Sequence, residues 1–185
     1  MRRALPWVLG AALVLGAGLV TAATPSDEDI VGPITLHGQA GDAVASRTII
    51  ATVTDARFAD EVTEETSRWS ADGNWLVITL DVSAATTEVD AAIQLATLAV
   101  DGRVFQASER PSASLRGTAL RVGTDITGVL AFELPSDLDS GSAELRLTPT
   151  YSTPELDDLV AISVELAGLP RVPSTELPAP DWSGE

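Results

Sequence analysis

NWLVITLDV, residues 74–82, is the strongest β-strand signal in the chain. Apolar side chains occupy every second position, which is the period that puts them on one face of a strand. The four that share this face are Leu76, Ile78, Leu80 and Val82. Trp75 and Val77 are apolar on the opposite face, so we expect part of this strand to be buried on both sides.

Comparable runs rich in Val, Ile, Leu and Thr continue along the chain, separated by turn residues. They cover residues 46–58, 92–100, 103–107, 126–134, 142–148 and 159–166, with a less regular run at 114–122. Asp101-Gly102 lies between two of them, and Asp-Gly in that position is a strong signal for a two-residue hairpin. Long amphipathic helices are missing between the runs. This order predicts an all-β antiparallel sandwich of about 7–8 strands.

The N-terminus has the pattern of a membrane-targeting segment. Arg2 and Arg3 precede a run without charge from Ala4 to Ala23. About 20 helical residues span roughly 30 Å, the thickness of the hydrocarbon core of a bilayer. Because positive charge precedes the run and acids follow it, we expect the rest of the chain outside the cytoplasm. The helix is either a single-span anchor, which its length favours, or a signal peptide cleaved after the small residues at 20–23.

Composition divides the chain into four segments. We predict a transmembrane anchor or signal peptide at 1–23, a flexible stalk at 24–43, the sandwich at 44–169 and a Pro-rich tail at 170–185. The stalk is rich in Gly and Pro, with room for one short strand at 34–36. Proline at the density of the tail disfavours sheet pairing and favours an extended conformation.

Trp182 lies near the end of the predicted tail. Tryptophan is favoured at binding hot spots, so Trp182 is a candidate partner-binding residue. The alternative interpretation is that the tail packs on its own domain and has no separate role.

The negative charge of the chain disfavours one class of partner. Its formal net charge is −16, from 27 acids and 11 bases, and every base is Arg. Such a surface repels nucleic acid phosphates, so we expect no nucleic acid partner. The chain has no Cys. Disulfides, thiolate metal sites, Cys nucleophiles and a lipid-modified Cys are therefore excluded.

Catalytic patterns are missing from the sequence. His37 is the only His, and it lies in the Gly-rich stalk, where a reacting group would be poorly held. The chain has no phosphate-binding Gly-Lys-Ser/Thr loop and no Gly-x-Ser-x-Gly elbow. We expect no enzyme activity and no cofactor. A hydrolase with paired carboxylates, or a metal-dependent enzyme, is left as an alternative because acids are plentiful.

Asp137 and Asp139 form the best candidate for a metal site. They occupy alternate positions before Gly141, as in part of a calcium-binding loop. The third ligand and the distal Glu of the full pattern are missing, and the ordinary interpretation is a polar turn before the next strand.

Three short motifs resemble an Ig-like domain of unknown function. They are the strand after Trp75, the Asp-Gly-Arg hairpin at 101–103, and GVLAFELP at 128–135. That domain occurs in bacterial surface lipoproteins and membrane-anchored proteins and is similar to a mycobacterial immunoprotective extracellular antigen. The resemblance spans about residues 45–150 and implies an Ig-like sandwich with an extracytoplasmic role and no catalytic residues. The chain departs from the family in lacking the lipid-modified Cys, and its Arg-only, Ala-rich composition resembles that of a high-GC actinobacterium.

The sequence therefore predicts a non-enzymatic, membrane-anchored binding or structural protein outside the cytoplasm. The membrane is expected to hold it through the N-terminal helix, and an unidentified protein is the expected partner. An accessory subunit of an envelope or transport complex fits this description. The alternative is a secreted, ligand-binding sandwich whose signal peptide has been removed.

Overall fold

The computed structural model describes residues 5–23, 32–151 and 157–182. It has an N-terminal unit, Met1–Gly32, and a β unit, Pro33–Glu185. The N-terminal unit contains one helix, α1 (Leu5–Ala23), which lies inside the charge-free run. Within the described residues, no helix meets the length and hydropathy needed to cross a membrane.

The β unit consists of two sheets, whose strands alternate with turns along the chain. The strands are β1 (Ile34–Gln39), β2 (Val44–Ala45), β3 (Ile49–Glu64), β4 (Trp69–Ala84), β5 (Leu95–Val100), β6 (Arg103–Gln106), β7 (Ile126–Leu134), β8 (Ser142–Thr148), β9 (Asp158–Glu165), β10 (Arg171–Val172), β11 (Thr175–Glu176) and β12 (Asp181–Trp182). Sheet A has the order β1-β9-β8-β5-β6. Sheet B has the order β10-β3-β4-β7-β12, and β2 and β11 also pair with β3.

The strand order confirms the predicted sandwich. Strands β4 and β7 are neighbours in sheet B, and β5, β8 and β9 are neighbours in sheet A. The chain crosses between the sheets from β4 to β5, from β6 to β7 and from β7 to β8. This arrangement corresponds to strands B and E facing C, F and G of an immunoglobulin fold. The main ladders are antiparallel as predicted, whereas β1, β10 and β11 add parallel pairs at the sheet edges.

Strand β4 is buried on both faces, as its sequence predicts. Its inward side chains, Leu76, Ile78, Leu80 and Val82, are each 0% exposed and lie in the core between the sheets. Trp75 and Val77 belong to a second cluster on the outer face of sheet B. The Asp-Gly hairpin also forms, with Asp101 at φ 48° and Gly102 at φ 71°, in the left-handed region that such a turn requires.

The short strand predicted at 34–36 forms and extends to Gln39 as β1, so the flexible stalk predicted for 24–43 is wrong over this strand, and residues 24–31 lie outside the described part. Strand β1 pairs in parallel with β9 over six residues, from Ile34 opposite Asp158 to Gln39 opposite Ser163. Gly38 explains the error, because a side chain there would overlap Val44 Cγ2. The glycine permits close packing here and is not a sign of a flexible segment.

The tail predicted for 170–185 also belongs to the sandwich, at least through Trp182. We call residues 169–182 the C-terminal strap. It pairs with β3 through β10 and β11, and then with β7 through β12. Between these edges Leu177 packs on the outer face of sheet B and is 2% exposed. The prolines at 170, 173, 178 and 180 all fall outside the paired residues, which is how a Pro-rich segment can join sheet edges.

The predicted run at 114–122 does not form a regular strand. It makes isolated bridges, including Ile93 with Arg116 and Ala84 with Val122. Leu115 and Leu120 are buried at 0% and 2% exposure, so the segment acts as a plug in the core. Their spacing of five residues does not fit the two-residue period of a strand.

Candidate functional site

The most distinctive group of aromatic and charged side chains lies at one corner of sheet B. We call Trp69, Trp75, Arg110 and Glu133 the tryptophan–arginine cluster. The two indole rings meet edge to face, with centroids 6.2 Å apart and an interplanar angle of 86°. The Arg110 guanidinium lies 5.2 Å from the Trp69 ring centroid and 6.0 Å from that of Trp75. Both distances are in the range of cation–π attraction.

Strand geometry brings these side chains together. Trp69 begins β4 and Trp75 follows six residues later, so both point to the outer face of sheet B. Glu133 on β7 pairs with Trp75 across the ladder. Gly73 lies between the two tryptophans, and a Cβ there would be 3.0 Å from Trp75 Nε1. The missing side chain leaves room for the Trp75 indole.

Exposure differs sharply within the cluster. Trp75 is 0% exposed, and no described residue accepts a hydrogen bond from its Nε1. Trp69 is half-buried. Arg110 and Glu133 are 53% and 52% exposed and form an ion pair at 3.3 Å. The cluster therefore has a buried aromatic base and a charged rim in solvent.

A buried carboxylate holds the segment that carries Arg110. Glu64, at the end of β3, is 4% exposed. It accepts hydrogen bonds from Ser112 N at 3.0 Å, Ala113 N at 3.1 Å and the Ser112 hydroxyl. The Ser112 hydroxyl contributes most to holding the pKa of Glu64 below its ordinary value of 4.5, and it outweighs the opposing effect of burial. Glu64 thus fixes the loop that follows Arg110 to the end of the β3–β4 hairpin.

A second buried carboxylate has a similar structural role at the other end of the domain. Asp158 is 1% exposed and accepts hydrogen bonds from Arg47 N at 2.6 Å and Arg47 Nε at 2.7 Å. Burial by itself would raise the pKa of Asp158. The hydrogen bonds from Arg47 and Ser46 outweigh burial and leave the pKa below its ordinary value of 3.8. These bonds join the start of β9 to the turn before β3.

The residues predicted as a calcium site lie in the turn between β7 and β8. Asp139, but not Asp137, lines a shallow depression of about 420 Å³ together with Asp60 and Arg171. Arg171 donates to Asp60 Oδ1 at 2.8 Å, so a guanidinium already occupies the cationic position beside this carboxylate. In the part of the chain that is described, no three His, Asp or Glu side chains converge as metal ligands require.

Asn74 ties this depression to the strap. Its side chain accepts a hydrogen bond from Arg171 at 2.8 Å and donates to Pro135 O at 2.8 Å and Leu138 O at 3.1 Å. The turn that carries the predicted calcium residues is thereby fastened to β4 and to the strap.

The other two residues singled out in the sequence lie apart from the cluster. His37 is on the outer face of sheet A, 68% exposed, with Nδ1 3.7 Å from Glu144 Oε2. Trp182 is half-buried against the core, and its backbone pairs with Ile126. The Arg121 guanidinium lies 4.2 Å from the centroid of the Trp182 ring. Trp182 therefore packs on its own domain.

Comparison with known proteins adds no family. No family model matches the chain, and no curated protein matches it either. Among solved structures, a protein called a putative lipoprotein from Staphylococcus aureus is 13% identical, with 75% of this chain and 97% of that chain covered and a TM-score of 0.46. An uncharacterised β-sandwich protein from Clostridium difficile is 12% identical, with 77% and 100% covered and a TM-score of 0.43. Likeness at this level assigns neither a family nor a function to the chain.

Proposed function

We propose that this protein is a non-enzymatic binding module that works outside the cytoplasm and contacts a protein partner through the tryptophan–arginine cluster. The observation that carries the proposal is the cation–π contact of Arg110 with Trp69, at 5.2 Å, on the surface of the domain. Trp and Arg are the residue types most enriched at the energetic centres of protein interfaces.

Preorganisation supports this role. The Arg110 loop is held by the three hydrogen bonds to Glu64, and the indole base is buried in the outer cluster. A partner would therefore meet side chains that are already ordered, which lowers the entropic cost of association. Glu133 adds a half-exposed carboxylate beside Arg110. Such a pair offers both a donor and an acceptor at the rim.

Delivery of the domain across a membrane is a second part of the proposal. It rests on the two leading arginines and the charge-free run that contains α1. We propose that this run is retained as an anchor, which would make the protein an accessory subunit of an envelope or transport complex. The competing form is a secreted sandwich whose run has been cleaved. Fractionation followed by N-terminal sequencing separates the two, because a mature start at Ala23 or Thr24 requires cleavage.

The binding proposal is tested with matched arginine variants. Tagged wild-type protein, Arg110→Ala and Arg103→Ala are purified from detergent-solubilised membranes, and the proteins that accompany each are quantified by mass spectrometry. Arg103 is a suitable control because it also lies near an aromatic ring, Phe105, at 5.8 Å, but in sheet A.

We expect one partner to be lost or reduced about tenfold with Arg110→Ala, since hot-spot truncations cost upwards of about 1–2 kcal/mol. Arg103→Ala should retain it. A partner captured equally by all three proteins would place the interface elsewhere and refute the assignment of the cluster. Capture of no partner by the wild type would also count against a binding module of this kind.

A further inference from the structure

The outer edge of β1 carries backbone groups that no described strand uses. Ile34 N donates to Asp157 O at 2.9 Å, and Ala40 N donates to Ser163 O at 3.0 Å. Backbone groups alternate in direction along a strand. The even-numbered residues of β1 therefore point toward β9, and the odd-numbered residues point away from it.

Two residues define the open part of this edge. Thr35 and His37 each present one N–H and one C=O away from β9, and β1 is the last strand of sheet A in the described part of the chain. Gln39 also points outward, but its carbonyl accepts a hydrogen bond from Asp42 N at 3.0 Å. The free groups are therefore the N–H and C=O of Thr35 and of His37, together with the N–H of Gln39.

This edge also lacks the usual protection against pairing. Natural edge strands are shielded by charge, proline, a bulge or a covering segment. Sheet B has such a cover, since the strap pairs with both of its outer long strands, β3 and β7. Strand β6, at the other edge of sheet A, is only four residues long and begins with Arg103. Strand β1 has six residues, ITLHGQ, with no Asp, Glu, Arg, Lys or Pro, and the side chain of Ile34 is 54% exposed.

The order of the free groups is self-complementary. In an antiparallel ladder, two directly opposed residues can exchange both of their N–H···O=C bonds. If two copies of β1 meet about a two-fold axis at Leu36, Thr35 of each copy lies opposite His37 of the other. The N–H and C=O of Thr35 and of His37 on each edge are then used, and two such residue pairs form. A two-fold arrangement of this kind is closed and does not propagate into a fibre.

We infer that β1 is a self-association edge, where two copies of this chain pair antiparallel through Thr35 and His37 and join their sheets A into one continuous sheet. The occupant is a second copy because the edge offers its own complement in register. The net charge of the chain is −16, so it repels an acidic partner strand and, in part, also a second copy. The β1 stretch itself contributes no negative charge at the seam.

The first test uses proline at the free edge. Thr35→Pro removes an outward N–H and leaves every bond to β9 intact, as proline on the open side of an edge strand can. Val104→Pro is the matched control on β6. Ala107 N donates to Ala96 O, so the backbone groups of odd-numbered residues here point toward β5. Those of even-numbered residues, including Val104, therefore point away from the sheet. Full-length protein is studied by sedimentation equilibrium in density-matched detergent, at about 0.5 M salt to screen the net charge.

We expect the wild type to dimerise between about 10 µM and 1 mM, and Thr35→Pro to weaken the dimer about tenfold or more through loss of two hydrogen bonds. Val104→Pro should dimerise like the wild type. A wild type that is monomeric over this whole range would overturn the proposal. So would a dimer that Thr35→Pro leaves unchanged, because association would then arise from α1 or from another surface.

The second test measures the register of pairing. The chain has no Cys, so single cysteines can be introduced without background. Thr35→Cys and His37→Cys are prepared separately, and each is oxidised alone and as an equal mixture. Opposed residues have Cβ atoms about 4.5–5.5 Å apart, whereas diagonal ones are about 7–8 Å apart. The mixture should therefore give several times more disulfide-linked dimer than either variant alone, and equal yields in all three samples would refute the pairing about Leu36.

Discussion

Removal of the Glu64 carboxylate should destabilise the domain and release the loop that carries Arg110. Glu64 is 4% exposed, and its two oxygens accept hydrogen bonds from Ser112 N, Ala113 N and the Ser112 hydroxyl. Glu64→Ala leaves the two backbone donors without this acceptor. The hydroxyl can turn toward solvent, because Ser112 is exposed, so its loss costs less.

The structure sets the size of the effect. The hydrogen bond of Ala113 N is buried, and a buried donor left unsatisfied costs about 1–3 kcal/mol. Ser112 N belongs to an exposed residue, so the loss of its hydrogen bond costs about 0.5–1.5 kcal/mol. Among the described residues Glu64 has no cationic partner, so Glu64→Ala also removes the desolvation cost of an unpaired charge, which offsets part of this loss. We therefore expect the free energy of unfolding to fall by about 2–3 kcal/mol, or the melting temperature by roughly 6–10 °C for a domain of this size.

Urea unfolding followed by tryptophan fluorescence measures this change. Two of the tryptophans, Trp69 and Trp75, lie in the affected cluster. Glu65→Ala is the matched control, since its side chain is exposed and the expected change is within about 0.5 kcal/mol. Glu64→Gln keeps one side-chain acceptor and should lie between the two. If Glu64→Ala were no more destabilising than Glu65→Ala, the carboxylate would not be holding the loop.

Three further changes test other parts of the fold. The pKa of Glu64 is lower in the folded state than its ordinary value of 4.5. The ionised carboxylate therefore contributes fully to the free energy of unfolding above pH 4.5, and this contribution disappears as the pH falls through the folded-state pKa. The difference in unfolding free energy between wild type and Glu64→Gln should accordingly shrink as the pH falls. Leu177→Ala should lower the unfolding free energy by about 2–5 kcal/mol in a urea titration, because this strap residue is only 2% exposed. A smaller loss would mean that the strap is weakly held. Gly128→Ala should lower it by about 1–3 kcal/mol, since the added Cβ would lie 2.7 Å from Leu115 Cγ; an unchanged melting temperature would contradict this packing.

The strands that could be predicted are those whose signal is local. Residues 126–134 and 142–148 form β7 and β8 with the predicted bounds, because the two-residue period marks their whole length. Strand β4 extends from 69 to 84, well beyond the predicted 74–82. Apart from Trp69, the residues at its ends are polar or small, and they are in a strand because β3 pairs with them.

The elements that were missed, or predicted only in part as β1 was, depend on partners far away in the chain. Strand β1 exists because β9 lies beside it, more than 120 residues later. The strap exists because sheet B has an apolar outer face and two free edges, which no local pattern around 170–182 reveals. The same holds for the candidate site. The spacing of six residues between Trp69 and Trp75 is even and indicates a shared face, but Arg110 reaches them only through a loop that Glu64 holds.

Stability and binding can be separated at the corner of sheet B. The strap and the loop after Arg110 cover the outer cluster, where Leu177 and Ala113 are buried, whereas the Arg110 side chain is 53% exposed. Truncating an exposed arginine usually changes stability by no more than about 0.5 kcal/mol, to which the cation–π contact adds about 0.5–1 kcal/mol. If Arg110 served only to cover the indoles, Arg110→Met, which retains apolar contact, would preserve every property of the domain. If it is a binding residue, Arg110→Met retains the melting temperature within about 3 °C and still loses the partner, and this combination is the one that we expect.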